Sequence, residues 1–499
     1  MRIQLLVLAL IPVTYGQVPG ACADLAKFKI PGMSMVISKV ETIPASAPGK
    51  APGMENVTVP LPAFCRAEGM LDHRTGVGGK SYGIGFAIAL PDNWNNHFLF
   101  QGGGGFNGSV RPPLGAAASG DTPALARGFA VISTDTGHQG GDRSFFQDQQ
   151  AGLDFAYVAI GKVTVVGKQI LAHYYGQPAR FSYFVGCSTG GREAMTMTQR
   201  YPDYFDGVIS GDPAMRTGYA QIGRAWTTTA FNQIAPRDAS GKLLTSPVFS
   251  DADKKVVVNG LLSACDANDG LKDGMIFNTR ACKFDPAALA CAGSKTDGCL
   301  TSQQAAAIKK AYEGPRNLRG ILVYPPSAYD AGISLPGALT GSTVQVEIDV
   351  DGLFAGVVAD AMNALTDTTS TYLSTFAAHG GKLLFYHGMS DTGFSPLDTI
   401  DYYEKMSKAN GGRDQVEGWS RLFLAPGMGH CRGGSAALDD FDLLTSVVSW
   451  VEKGTAPESV VATGKALPGR SRPLCAYPKY AAYKGQGDPE NATSFVCRE

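Results

Sequence analysis

The sequence predicts an α/β fold: a mostly parallel sheet covered by helices and interrupted by one large insert. Three observations predict it. Short β-branched or aromatic runs recur, each followed by a polar loop and then a helical pattern, the alternation of a sheet built with crossover helices. At 499 residues the chain is too long for one ordinary core and too short for several large ones, so a big domain carrying an inserted second one is the natural division. Over residues 211–378 the strand-helix rhythm stops, and Gly/Asp-rich loops with four cysteines replace it.

Taken in chain order, strands are expected at 97–100, 130–134, 181–185, 207–210, 382–386 and 421–424, each a compact run of apolar residues bounded by loop signals. Helices are expected at 154–175, 192–200, 397–406 and 440–452. The division that follows is a leader at 1–16, a first part of the core at 17–210, an inserted lid domain at 211–378, and a second part of the core at 379–499. The leader, MRIQLLVLALIPVTYG, has one cation, an apolar run and small residues near its end, the pattern of a secretory signal peptide. No later stretch reads as long and apolar enough to cross a bilayer. The mature protein is therefore expected to be secreted or periplasmic.

Charge narrows the partners. Lys and Arg (43) nearly balance Asp and Glu (44), which leaves no basic excess for a nucleic acid or an anionic membrane, and neither is expected as a partner. Ten cysteines in an exported chain read as disulfides. Pairing sequence neighbours gives Cys22 with Cys65, Cys265 with Cys282, Cys291 with Cys299 and Cys475 with Cys497, leaving Cys187 for Cys431. Sequons at Asn56, Asn107 and Asn491 carry weight only in a glycosylating host.

The segment FSYFVGCSTGGREAM, residues 181–195, sets a strand before Gly186-Cys187-Ser188-Thr189-Gly190 and an amphipathic helix after it. This is the context of a nucleophile elbow, in which a serine sits on a strained strand-to-helix turn and flanking glycines let strand and helix crowd together. A Gly-rich turn with a capping serine is the plainer alternative. A serine hydroxyl needs a base, and the base needs an orienting carboxylate; in an α/β-hydrolase the chain order is Ser, acid, His. His430, in the Gly-rich loop after strand 421–424, fits the base. His387 also follows a strand, but the order rule would then need an acid inside the insert; His379 is the other competitor. Asp391, just past strand 382–386, fits the acid, while Asp398 and Asp401 read as the solvated face of the next helix. Two backbone N–H donors are required for a tetrahedral intermediate: Thr189 offers one, and Gly104 or Gly105, in the run Gly102 to Gly105 after strand 97–100, offers the other. A phosphate-cradling loop is the rival reading of that run, but no Walker lysine follows. Cys187 and Cys431 each adjoin a candidate catalytic residue, so their bond would clamp Ser188 and His430 together.

These residues resemble the tannase and feruloyl esterase family, whose members pair a Cys-Ser elbow with a His-Cys loop and place an Asp between them. GCSTGGREAM, YHGMSDTGFSPLDTIDYYEKM, RLFLAPGMGHCRGG and RPLCAYPKYAAYKGQGD carry the likeness, which runs over nearly the whole mature chain, and they resemble a bacterial branch that includes a hydrolase of terephthalate monoesters. The resemblance implies an α/β-hydrolase core with a large inserted lid domain, five disulfides in the order above, and hydrolysis of small aromatic esters (hydroxycinnamate, gallate or terephthalate monoester). It implies that Phe394 faces the substrate ring. It also matches CDANDGLKDGM, residues 265–275, to a lid calcium loop, with carboxylates from Asp266, Asp269 and Asp273 and carbonyls from Leu271 and Met275. Such hard oxygen donors suit a structural Ca²⁺, although a solvated turn has the same composition, and the spacing is not that of an EF-hand. An aliphatic lipase, a peptidase and a non-catalytic calcium-dependent binding protein on the same fold remain as alternatives.

Overall fold

The computed structural model describes residues 21–499 apart from 52, 53, 55, 242, 244–247 and 342–345, so the proposed leader lies outside the described residues. Nine strands form the central sheet: β1 (Met35–Ile43), β2 (Phe64–Thr75), β3 (Ser81–Pro91), β4 (His97–Gln101), β5 (Ala130–Thr134), β6 (Phe181–Cys187), β7 (Gly207–Gly211), β8 (Lys382–Gly388) and β9 (Ser420–Ala425). Their order is β1-β2-β3-β5-β4-β6-β7-β8-β9. Pairing is parallel from β5 through β9 and antiparallel among β1, β2, β3 and β5. The six expected strands are therefore all present within the parallel part, each within a residue or two of its expected limits. The antiparallel flank β1–β3 was not expected. In β1 and β2 charged residues (Lys39, Glu41, Arg66, Glu68) break up the apolar pattern, whereas β3 is a nearly continuous buried run with no such mask.

Successive residues of each parallel strand feed opposite cores, as a pleated strand buried on both faces requires. Phe98, Phe100, Phe184, Leu383 and Phe385 join one cluster, beneath the helix Ala159–Tyr175; Leu99, Tyr183, Val185, Leu384 and Tyr386 join the other, beneath the helix Leu443–Lys453. The helix expected at 154–175 is longer than that: a π turn at Asp154–Val158 continues it back to Gln149. Contrary to expectation, Gln149–Tyr175 is long and apolar enough by composition to cross a membrane; its Ile160, Val163, Val166 and Ile170 are buried against the sheet. The expected helix at 440–452 starts later, because Asp440–Phe441 pairs as a strand with Ser459–Thr463 in a small antiparallel sheet.

Between β7 and β8 none of the described residues joins the central sheet. The segment folds instead on a core of its own, in which Phe231, Val257, Leu261 and Ile308 from the helices Thr217–Asn232, Asp251–Cys265 and Ser302–Tyr312 meet Phe249 from the loop before the second of them. Five disulfides close in the expected pairing, Cys22–Cys65, Cys187–Cys431, Cys265–Cys282, Cys291–Cys299 and Cys475–Cys497.

Candidate active site

The carboxyl ends of β6, β8 and β9 deliver the three candidate catalytic residues to one edge of the sheet. Ser188 caps the helix Thr189–Arg200 with φ 66° and ψ −121°, a positive-φ conformation outside the left-handed helical region that costs a residue with a Cβ about 1–3 kcal/mol. The surroundings impose it. A Cβ on Gly186 would lie 2.5 Å from Gly190 backbone, and one on Gly190 would lie 2.7 Å from Gly103 O, so strand, helix and Gly-rich loop are in backbone contact.

Asp391 sits in the turn after β8, 7% exposed, with all its acceptor capacity used. Its Oδ1 accepts from the N–H groups of Gly393 (2.6 Å) and Phe394 (3.1 Å), and its Oδ2 lies 2.7 Å from His430 Nδ1 and 3.2 Å from His387 Nε2. Burial opposes its charge, yet the bonds from His387 and His430 hold the carboxyl well below the usual range. His430 therefore carries its proton on Nδ1 and leaves Nε2 as an acceptor. Its side chain is 34% exposed, and burial, which would lower its pKa, is outweighed by the Asp391 bond and charge, so the imidazole titrates above the ordinary value. Ser188 and His430 are not hydrogen-bonded to each other among the described residues. What ties them is the Cys187–Cys431 disulfide between their sequence neighbours, with Cα atoms 5.9 Å apart.

Sequence alone does not place Asp212, at the end of β7, in this cluster. It is fully buried, accepts from Gly388 N (3.0 Å), and lies 3.6 Å from His387 Nε2. Burial pushes its carboxyl up to about 6. His387, expected at most to stand behind the site, is fully buried, with Nδ1 2.8 Å from Thr399 Oγ1 and Nε2 also 3.1 Å from Phe394 O. His379 is exposed and remote from this cluster. Asp398 corrects an expectation. Rather than facing solvent it is 5% exposed and paired with Arg216 of the insert, which its place on the inner face of the helix Pro396–Ala409 allows. Asp401 is solvated and pairs with Lys405.

The Gly-rich loop packs on the elbow. Gly102 N donates to Val185 O (2.9 Å) and Gly103 N to Glu193 Oε2 (2.9 Å), while Gly104 N and Gly105 N donate to nothing among the described residues. Thr189 Oγ1 donates to Gly105 O. Asn107 Nδ2 donates to Glu193 Oε1 (2.7 Å), so the Asn107 sequon amide is engaged inside the fold. The Phe394 ring stands 5.4 Å from the His430 ring, tilted by 39°. A cavity of about 460 Å³ opens between these loops and the insert, lined by Asp391, His430 and Thr392 on one side and Arg224, Thr227 and Tyr324 on the other.

In the insert, Asp266, Asp269 and Asp273 lie on one loop. Asp266 accepts from Gly274 N, Asp269 from Leu271 N and Phe277 N, and Asp273 from Met275 N. No hydrogen bond among the described residues uses the carbonyls of Leu271 or Met275, so hard oxygen donors of the kind Ca²⁺ takes are available. Asp273 is also paired with the fully buried Arg472 (2.5 Å). The donor set fits a calcium ion; the loop does not gather its three carboxylates as tightly as Asp212, His387 and Asp391 are gathered, within 4.8 Å.

A serine elbow, a carboxylate-bound histidine and a disulfide joining the two match a known sequence pattern. The model of tannase and feruloyl esterase matches residues 65–363 and 354–498. The chain belongs to the tannase and feruloyl esterase family. With it comes the class of carboxylic ester hydrolases. Among relatives in this family, mono(2-hydroxyethyl) terephthalate hydrolase of Piscinibacter sakaiensis is 38% identical over 520 residues, covering 88% of this chain and 85% of that one. A probable feruloyl esterase of Arthroderma benhamiae is 30% identical over 95% of this chain and 93% of its own. Feruloyl esterase B from Aspergillus oryzae superposes with a TM-score of 0.78 at 27% identity, over 96% of this chain and 99% of that one.

Proposed function

We propose that this tannase-family chain hydrolyses esters of aromatic acids by two-step acyl transfer. His430 Nε2 takes the proton of Ser188 as Oγ attacks the ester carbonyl; the alcohol then leaves with that proton, and water releases the acid by the reverse path. Asp391 fixes the tautomer and balances the imidazolium charge. Thr189 N–H, with Gly104 N–H or Gly105 N–H, would receive the carbonyl oxygen as it gains charge. The observation that carries the reading is the 2.7 Å contact of His430 Nδ1 with Asp391, which leaves Nε2 as the acceptor of a residue that lines the cavity and that the Cys187–Cys431 disulfide ties to the neighbour of the strained Ser188.

An aromatic acyl group is supported by the Phe394 ring beside His430 and by the substrates that the relatives' names carry, a terephthalate monoester and feruloyl esters. The insert, forming one wall of that cavity, acts as the lid. Asp266, Asp269 and Asp273, with the Leu271 and Met275 carbonyls, would hold Ca²⁺, whose charge would balance the carboxylates and stiffen the loop, far in sequence from the chemistry. Five disulfides support an extracytoplasmic location.

Ser188→Ala is expected to lower kcat on methyl ferulate, methyl gallate or a terephthalate monoester by about 10⁴-fold or more while thermal unfolding stays cooperative. Near-normal turnover by that variant would remove the assignment. Faster cleavage of p-nitrophenyl butyrate or a peptide than of all three aromatic esters would replace the substrate class.

A further inference from the structure

We propose that Glu193 is a positioning residue for ester hydrolysis: it holds the Gly-rich loop 102–108 against the nucleophile so that Gly104 or Gly105 presents its N–H to the developing oxyanion. The proposal rests on the acyl-transfer reading above. Glu193 lies on the helix that Ser188 opens and is 0% exposed. A carboxylate is costly to bury unless its oxygens are hydrogen-bonded, and here both are bonded to the same loop. Oε2 accepts from Gly103 N at 2.9 Å and Oε1 from Asn107 Nδ2 at 2.7 Å.

Those two anchor points bracket Gly104 and Gly105. The bracketed stretch has few means of ordering itself. Consecutive glycines have the widest conformational freedom of any residues, Gly105 takes φ +60°, and the ties that reach Gly104 and Gly105 themselves are Asn107 N to Gly104 O and Thr189 Oγ1 to Gly105 O, the remaining ones holding the loop at Gly102, Phe106 and Gly108. Because Gly102 N and Gly103 N are already bonded, Gly104 N and Gly105 N are the run's donors without a partner among the described residues. A donor preorganised toward the position of developing charge contributes far more than one that must first be ordered. Glu193 supplies that order from the helix that also carries Ser188 and the Thr189 N–H, so nucleophile and donors move as one body.

The carboxylate meets two donors with two acceptors. Glutamine keeps one acceptor, and its NH₂ can pair with Asn107 only if that amide turns over to present Oδ1, so Glu193→Gln weakens the clamp without abolishing it. Burial raises the Glu193 carboxyl, and the neighbouring Arg192 charge and the two loop bonds work to keep it ionised.

The test uses full-chain Glu193→Gln and Asn107→Ala, assayed on methyl ferulate and with an aryl trifluoromethyl ketone, whose tetrahedral adduct places an oxyanion in the hole. Expected for Glu193→Gln is a loss in kcat of about 10- to 100-fold with KM within about twofold, and weaker ketone inhibition by the same factor, while competitive inhibition by free ferulate is unchanged. Asn107→Ala should show the same split at smaller size. A lower Tm with kcat and ketone inhibition unchanged at 25 °C overturns the proposal, as that is what a purely structural carboxylate would give. If Glu193→Gln does not fold, Asn107→Ala decides alone, since it keeps the carboxylate and the Gly103 bond. Turnover that needs Ser188 but ignores Glu193 and Asn107 defeats this proposal only; turnover surviving Ser188→Ala defeats the reading beneath it.

Discussion

His430 and His387 both bond Asp391 Oδ2, yet their surroundings give them opposite tasks. His430 lines the cavity with Nε2 unbonded among the described residues, whereas His387 is sealed in, with both nitrogens taken by Thr399, Asp391 and Phe394 O. A base must be neutral to accept a proton, so kcat/KM should fall as pH drops through the His430 midpoint. That midpoint lies above the ordinary histidine value, because Asp391 and, at longer range, Asp212 favour the imidazolium more than burial and His387 oppose it. Asp391→Asn removes the largest favourable contribution. The acid limb of kcat/KM against pH should then move to lower pH while the plateau drops by about 10³- to 10⁴-fold. An acid limb left in place would mean that another group is titrating.

At the scale of elements, the contact between the elbow and the Gly-rich loop is backbone against backbone. Gly190→Ala would set a methyl 2.7 Å from Gly103 O and force the loop from the helix. Overpacking of this kind destabilises by about 1–3 kcal/mol, so a lower Tm is expected together with a larger fall in kcat than in substrate affinity. A variant with unchanged kinetics would show that the loop has room to give. The disulfide makes a second link between elements, from the elbow to the loop after β9, across 244 residues of sequence. Replacing Cys187 and Cys431 together by serine should lower kcat/KM about tenfold or more at 25 °C in protein whose circular dichroism is still native, because the mutual placement of Ser188 and His430 rests on this bond. Unchanged kinetics would reduce the disulfide to a stability device.

Across the whole molecule, the insert is fastened to the two loops that carry Asp391 and His430. Buried Asp330 accepts from Ser390 Oγ beside Asp391 and from Gly427 N (2.7 Å) at the start of the loop to His430, and Ser395 N donates to Tyr324 OH (3.1 Å). The far side of the insert is fastened to the C-terminal segment, where Arg470 donates to Asp273 O (2.8 Å) and Arg472 pairs with the Asp273 carboxylate. A cation in that loop would therefore brace the wall of the cavity from a distance. Chelation with EDTA should lower Tm by several degrees, with Ca²⁺ restoring it, and Asp269→Asn should abolish the response while leaving Ser188-dependent chemistry in place. A Tm indifferent to both treatments would leave the loop as a hydrogen-bonded turn.

Local pattern was enough for what is local. Six apolar runs announced the parallel strands, because strands buried on both faces must be nearly continuous in apolar residues. The elbow, the Gly run and the positions of Asp391 and His430 were legible, because each sits at the end of such a run and the order Ser, Asp, His follows from the topology. The partners that meet from distant segments were not. Asp212 looks like a turn residue, Glu193 like one charge on an amphipathic helix, Asp398 like solvated surface, and Asp330 like a loop residue in the insert. Burial and hydrogen-bonding partners give each of these carboxylates its task, and only the packing of β7, β8, the elbow helix and the insert into one body brings those partners within reach.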